Sequence, residues 1–197
     1  AGAAPGSRLT GTPRFGRAEL QPHLQLVFEN LFVILTKTDE SFENPHVMKA
    51  IMRCLHVAQE DVVPLTEMLL GSFNQALERV CKNPRDPHFN HYLFESVAVL
   101  VGNACKTNPS FTTNFETLLF PPFQQVLAQD VAEFSPYVFQ ILAQLLEYRP
   151  DGLSDPYRSL FQPLLSPSLW ERKGNCPALV RLLKAYMKQG AREIIPQ

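Results

Sequence analysis

The chain has 197 residues, 45% of them hydrophobic, and a formal charge of −1. That is enough apolar material for a buried core, and a near-neutral balance gives no electrostatic footing for nucleic acid or an anionic membrane. No run reaches the roughly 20 apolar residues of a membrane-crossing helix, and the first residues lack the hydrophobic segment of a signal peptide.

Proline is the unusual residue: 17 are present, above the ordinary level of about 5%. Most stand between apolar runs, where they act as helix punctuation. Four cysteines, at 54, 81, 105 and 176, form no CxxC pair and sit in or beside apolar helices. They read as buried thiols of a reducing compartment, with a structural disulfide as the weaker alternative.

Residues 1–18, small, basic and glycine-rich, read as a flexible arm with Leu9 and Phe15 as its sizeable apolar anchors. From Leu20 to Lys37, helical spacing of Leu24, Phe28, Leu31, Phe32 and Leu35 predicts a long helix, followed by a polar connection over 38–43. Asn44-Pro45 opens a helix running to about Glu60, with Val47, Ile51, Leu55 and Ala58 on its stripe. A partner spans Val62–Lys82, turning Leu65, Met68, Leu69, Phe73, Ala76, Leu77 and Val80 inward.

Asp86-Pro87 starts the strongest element, which runs to Lys106. Phe89, Leu93, Val97, Leu100 and Ala104 make one stripe, and Phe94, Ala98, Val101 and Cys105 the adjoining arc. Such a helix needs neighbours on more than one side. His88, His91, Glu95 and Lys106 share the opposite, solvated face. Ser110–Asp130 follows, with Phe111, Phe115, Leu118, Leu119, Phe123, Val126 and Leu127 as its apolar set. An interior proline removes a helical hydrogen bond and crowds the preceding turn, so Pro121-Pro122 predicts a kink or two shorter helices. Val131–Arg149 begins its helix at Ser135-Pro136 and buries Val138, Leu142, Leu145 and Leu146. Asp155-Pro156 starts another, with Tyr157, Leu160, Phe161 and Leu164 inward. An irregular turn over Leu169–Asn175 leads to a last helix, Pro177–Lys188, which Gly190 is expected to end.

Spacing sets the architecture. Prolines that open alternate helices lie at 45, 87, 136 and 177, separated by 42, 49 and 41 residues, and the interleaved set lies near 22, 64, 109 and 156. Helix pairs recurring at about 40–47 residues mark HEAT or armadillo arrays, and the two-helix unit favours HEAT. The expected fold is all-α, an α-solenoid of HEAT-like helix pairs without a β-sheet. A four-helix bundle with extra helices is the alternative.

Catalytic patterns are weak. His88, His91 and Glu95 share a helix face, but there is no HExxH and Cys81 lies beyond two prolines, so no metal site is assigned. His46 and His56 stand alone. GxSxG and a phosphate-binding glycine loop are both absent, so the chain is read as no enzyme and no cofactor is assigned. What remains is surface. Glu67, Asn74 and Glu78 form a polar stripe on one second helix of a pair, and Gln124, Gln125 and Gln129 occupy a similar stripe on the next. These six are the protein-binding candidates, weighed against ordinary solvation. Arg172, Lys173, Arg181 and Lys184 are expected to cover helix ends near Trp170 and Tyr186.

Four blocks carry a family resemblance: ENPHVMKAIMRCL (43–55), KNPRDPHFNHYLFES (82–96), FSPYVFQILAQLLE (134–147) and LWERKGNCPALVRLLKAYMKQG (169–190). Over essentially 20–197 the chain resembles the exportin-2, or cellular apoptosis susceptibility protein, family of importin-β-type nuclear transport receptors. The resemblance implies a segment in which 19–43 end the central HEAT region and 44–197 begin the C-terminal HEAT domain, with upstream repeats not included in this chain. It also implies export of importin-α in complex with Ran in its GTP state, contact with nuclear pore proteins, and shuttling between nucleus and cytoplasm. A general HEAT scaffold for an unrelated complex is the alternative. Pro121-Pro122 departs from the continuous helix expected of the family at that place, and residues 1–18 match no part of it.

Overall fold

The computed structural model describes residues 16–37 and 42–194, and within them every regular element is helical. The helices are α1 (Arg17–Leu20), α2 (Leu24–Thr36), α3 (Pro45–Ala58), α4 (Thr66–Lys82), α5 (Pro87–Thr107), α6 (Phe111–Ala128), α7 (Ser135–Tyr148), α8 (Asp155–Leu164), α9 (Pro167–Glu171) and α10 (Cys176–Ile194). Tighter 3-10 turns at Gln21–His23 and Gln59–Leu65 contain Pro22 and Pro64.

The caps written in the sequence form. Asn44 Oδ1 accepts from the backbone N–H groups of His46 and Val47 at 3.0 and 3.3 Å. Asp86 does the same for His88 and Phe89 at 2.8 and 2.9 Å, satisfying donors that a helix start otherwise leaves open. On α5 every residue of the predicted stripe is fully buried, as are Phe94, Val101 and Cys105.

The helices alternate between two rows. In the first, α3 packs on α5, α5 on α7, and α7 on α10, so the segments opened by Pro45, Pro87, Pro136 and Pro177 lie side by side in succession. The second row holds α2, α4, α6 and α8, with α4 packed directly on α6. A bundle has no such succession, so the stacked array is the architecture. Phe94 ties three helices at one point: its ring lies 5.1 Å from Phe134 and from Tyr137, and 6.5 Å from Phe123.

Four local expectations change. The predicted arm over 1–18 lies outside the described residues up to Phe15. Its last residues join α1, where Glu19 Oε2 accepts from Gly16 N–H at 2.8 Å and Arg17 forks onto Asp61. Leu20–Lys37 is divided by the turn at Pro22, and the expected connection over 38–43 is described only from Phe42, which is buried. Pro121-Pro122 do not divide α6, which runs unbroken through both. Proline's fixed φ suits a helix, and Leu119, Pro122 and Phe123 are buried on its packed side, offsetting the lost hydrogen bonds. Leu118, one of the apolar set of this helix, is 37% exposed.

Gly190 breaks the last helix close to its expected end, though not in the left-handed conformation of the usual glycine stop. It has φ −135° and ψ 18° inside α10, a kink after which the chain continues to Ile194. Its role is close approach: a Cβ there would overlap the side chain of Leu153. The expected irregular turn over 169–175 begins within the short α9. Its Trp170 indole donates to the Leu164 carbonyl at 2.8 Å, satisfying the end of α8.

Candidate partner-binding surface

All six candidate residues lie on the second row. Glu67, Asn74 and Glu78 are on α4, Gln124 and Gln125 on α6, and Gln129 is the residue following α6. Glu67, Glu78, Gln124 and Gln129 are exposed, and Asn74 and Gln125 half-buried. Asn74 Nδ2 donates to Glu78 Oε1 at 2.9 Å, while Asn74 Oδ1 is shielded from water without a partner. α4 packs directly on α6, so the two stripes lie on neighbouring helices.

Two steps of this row are looser. Between α2 and α4 the rings of Phe32 and Phe73 meet edge-on at 5.3 Å, and between α6 and α8 those of Phe120 and Tyr157 do the same at 5.3 Å. The latter step leaves an apolar cleft of about 200 Å³ lined by Phe120, Phe123, Leu127 and Leu160, with Leu142 of α7 and Gln124 also lining it. Tyr157 is fully buried beside it. Its hydroxyl donates to the Leu142 carbonyl at 2.7 Å, and the Tyr186 hydroxyl donates to the Tyr157 carbonyl at 2.7 Å. Burial pushes the Tyr157 hydroxyl well above its usual range, with the Glu116 charge adding to it.

Polar ties between repeats recur at the helix-pair period. Glu43 Oε2 accepts from the backbone N–H of Arg85 and Asp86, 42 and 43 residues on. Arg17 reaches Asp61 across 44 residues, and Arg172 reaches Asp130 across 42. Arg181 forks onto Glu147 at 2.9 and 2.7 Å. The Arg172 guanidinium holds the Asp130 carboxyl below its usual range, and Arg17 does the same for Asp61. Thus two of the four basic residues expected to cover helix ends act as struts to the preceding helix pair, while Lys173 and Lys184 stay exposed. Sequence reading missed these ties. For Arg17–Asp61 and Arg172–Asp130 the signal was available as opposite charges one period apart.

The rejected catalytic groups have other surroundings. His91 Nδ1 lies 2.9 Å from the Tyr137 hydroxyl of α7, so the face expected to be solvated also meets the next repeat. Among the described residues no three His, Cys, Asp or Glu side chains converge as a metal-holding group. All four cysteines are free; burial pushes the Cys81 thiol up to about 11, and burial with the Glu116 charge pushes Cys105 up to about 12.

This geometry is an extended surface of paired helices, and known proteins share it. A family described as "CAS/CSE protein, C-terminus" matches residues 8–197, so the match begins inside the stretch 1–18 that was expected to lie outside the family. Exportin-2 of Homo sapiens is 45% identical over 180 residues, covering 91% of this chain and 18% of the relative. Exportin-2 of Oreochromis niloticus is 47% identical over 177 residues, covering 90% and 18%. A solved structure, "The exportin Cse1 in its cargo-free, cytoplasmic state", aligns with a TM-score of 0.81 at 32% identity, over 89% of this chain and 19% of that one. The chain therefore spans less than a fifth of the relatives it matches.

Proposed function

The chain belongs to the CAS/CSE family, and from that premise we propose that it is one stretch of a nuclear export receptor. The receptor carries importin-α from nucleus to cytoplasm with Ran in its GTP state, and engages nuclear pore proteins on the way. Within it, residues 19–43 close the central repeats and 44–197 open the C-terminal ones. The role is binding rather than catalysis. The observation that carries this reading is the agreement of about 45% identity along nearly the whole chain with an uninterrupted first-row stack. A stack alone suits a scaffold equally well; the identity favours the carrier.

A solenoid makes its contacts mainly between neighbouring repeats, so small rotations add up to a large change in curvature. Two ligands that prefer the same curvature help each other bind, with a coupling of about 1–3 kcal/mol giving a 5- to 150-fold change in affinity. In this reading the segment is part of that spring, and the second row, with Glu67, Asn74, Glu78, Gln124, Gln125 and Gln129, is its cargo-facing wall. The test is a pull-down on immobilised importin-α. The full-length receptor is expected to be retained with Ran·GTP and released with Ran·GDP, and this segment alone to bind weakly or not at all. Ran-independent nanomolar binding by the segment would overturn the proposal.

A further inference from the structure

One residue on the packed side of α5 belongs to neither of its apolar arcs. Asn90 is 1% exposed, and at about 100° per residue it falls between Val97 and Val101, in the middle of the buried face. Ser96 and Asn103 lie to one side of it and reach Met48 and Leu55 of α3. His91 and Phe94 lie to the other and meet Tyr137 of α7. Asn90 is therefore directed between its first-row neighbours, toward the second row, where α4 and α6 both pack on α5.

Its side-chain amide is unmet. Neither Nδ2 nor Oδ1 has a hydrogen-bond partner in the protein, although the backbone N–H of Asn90 donates to the Asp86 carbonyl at 3.0 Å. Ser96, also buried on α5, is met: its hydroxyl donates to the Tyr92 carbonyl at 2.6 Å. Unmet groups gather in one helix pair. Among the described residues, the buried side-chain atoms without a partner are Thr66 Oγ1 and Asn74 Oδ1 on α4, both amide atoms of Asn90 on α5, and Glu116 Oε1 on α6. A buried amide without partners is destabilising, and leucine has the same branched shape with no polar atom to satisfy.

We propose that Asn90 is a weak point built into the stack, where the start of α5 loosens from the second row more readily than other first-row helices do. Folded chains open first where local stability is lowest, in units that coincide with supersecondary pieces. Because α5 touches both α3 and α7, a shift at its start alters two first-row steps together. The inference rests on the reading of the array as a spring, and names the joint at which that spring yields.

The test compares the chain with Asn90→Leu and Asn175→Leu. Asn175 is equally buried, but its Nδ2 donates to the Leu169 carbonyl at 3.2 Å. Asn90→Leu is expected to melt at a higher temperature than the unchanged chain, and Asn175→Leu at a lower one. Native-state hydrogen exchange read by NMR then locates the opening. The amides of Leu93, Phe94 and Val97 are expected to exchange about tenfold or more faster than those of Ile141, Leu142 and Leu145, which stand equally far from the start of α7. Asn90→Leu is expected to slow the α5 group about tenfold. An unchanged or lower melting temperature for Asn90→Leu would show that the amide is satisfied, as by a buried water, and would overturn the proposal. A rise in both variants, or α5 amides exchanging no faster than their α7 counterparts, would do the same. Neither importin-α nor Ran enters this experiment, so its failure is distinct from failure of the transport reading.

Discussion

Single residues show where the packing energy is concentrated. Leu93 and Leu100 are fully buried on α5, the helix that touches both α3 and α7. Replacing either by alanine removes apolar contacts and leaves a void that neighbouring repeats refill only in part, at about 2–5 kcal/mol. Urea denaturation of Leu93→Ala and Leu100→Ala should show this; a loss below about 0.5 kcal/mol at both would mean the stripe does not carry the stack. The buried tyrosines illustrate a different economy. Tyr157 and Tyr186 bring large rings inside, and each hydroxyl finds a carbonyl at 2.7 Å, so burial leaves neither donor unmet.

At the scale of elements, prolines and glycines act through their surroundings. Pro45, Pro87, Pro136 and Pro156 occupy first turns, where no N–H is needed. Pro121 and Pro122 occupy an interior and are carried by packing. Gly190 has a negative φ, outside the left-handed region, so its constraint is space rather than backbone freedom. Gly190→Ala forces Leu153 aside in a close-packed core and should cost about 1–3 kcal/mol. Gly174→Ala, with nothing within 4 Å of the added Cβ, is the control and should show no such packing penalty in thermal melts.

For the whole molecule, the first row is a continuous spine and the second is interrupted at two ring-to-ring steps. Charged struts one period long bind neighbouring repeats from outside. The Asp130–Arg172 strut sets a pH dependence whose sign follows from the depressed carboxyl. Its stabilisation is present above the ordinary aspartate value of 3.8 and is lost as pH falls through the lower folded value. Melting temperatures of the chain and of Asp130→Asn should therefore differ at pH 6 and converge as the solution is acidified below 3.8. The difference should be small, because both side chains are exposed and screened by solvent.

Local chemistry was legible in the sequence. Asn44 and Asp86 caps, the α5 stripe and the proline period follow from interactions within one or two turns, and together they dictate helix pairs repeated along a line. Candidate residues could be placed on the second helices for the same reason. Tertiary structure decided what depends on a neighbour from another repeat. Packing on one side carries α6 through two prolines. Leu153 makes Gly190 a point of close contact as well as a break in α10, and Asp130 turns Arg172 into a strut. The cleft between α6 and α8 belongs to this second kind. Its depth is set by how far two helices some 40 residues apart are held from each other by Phe120 and Tyr157, a distance that no spacing of apolar residues within either helix contains.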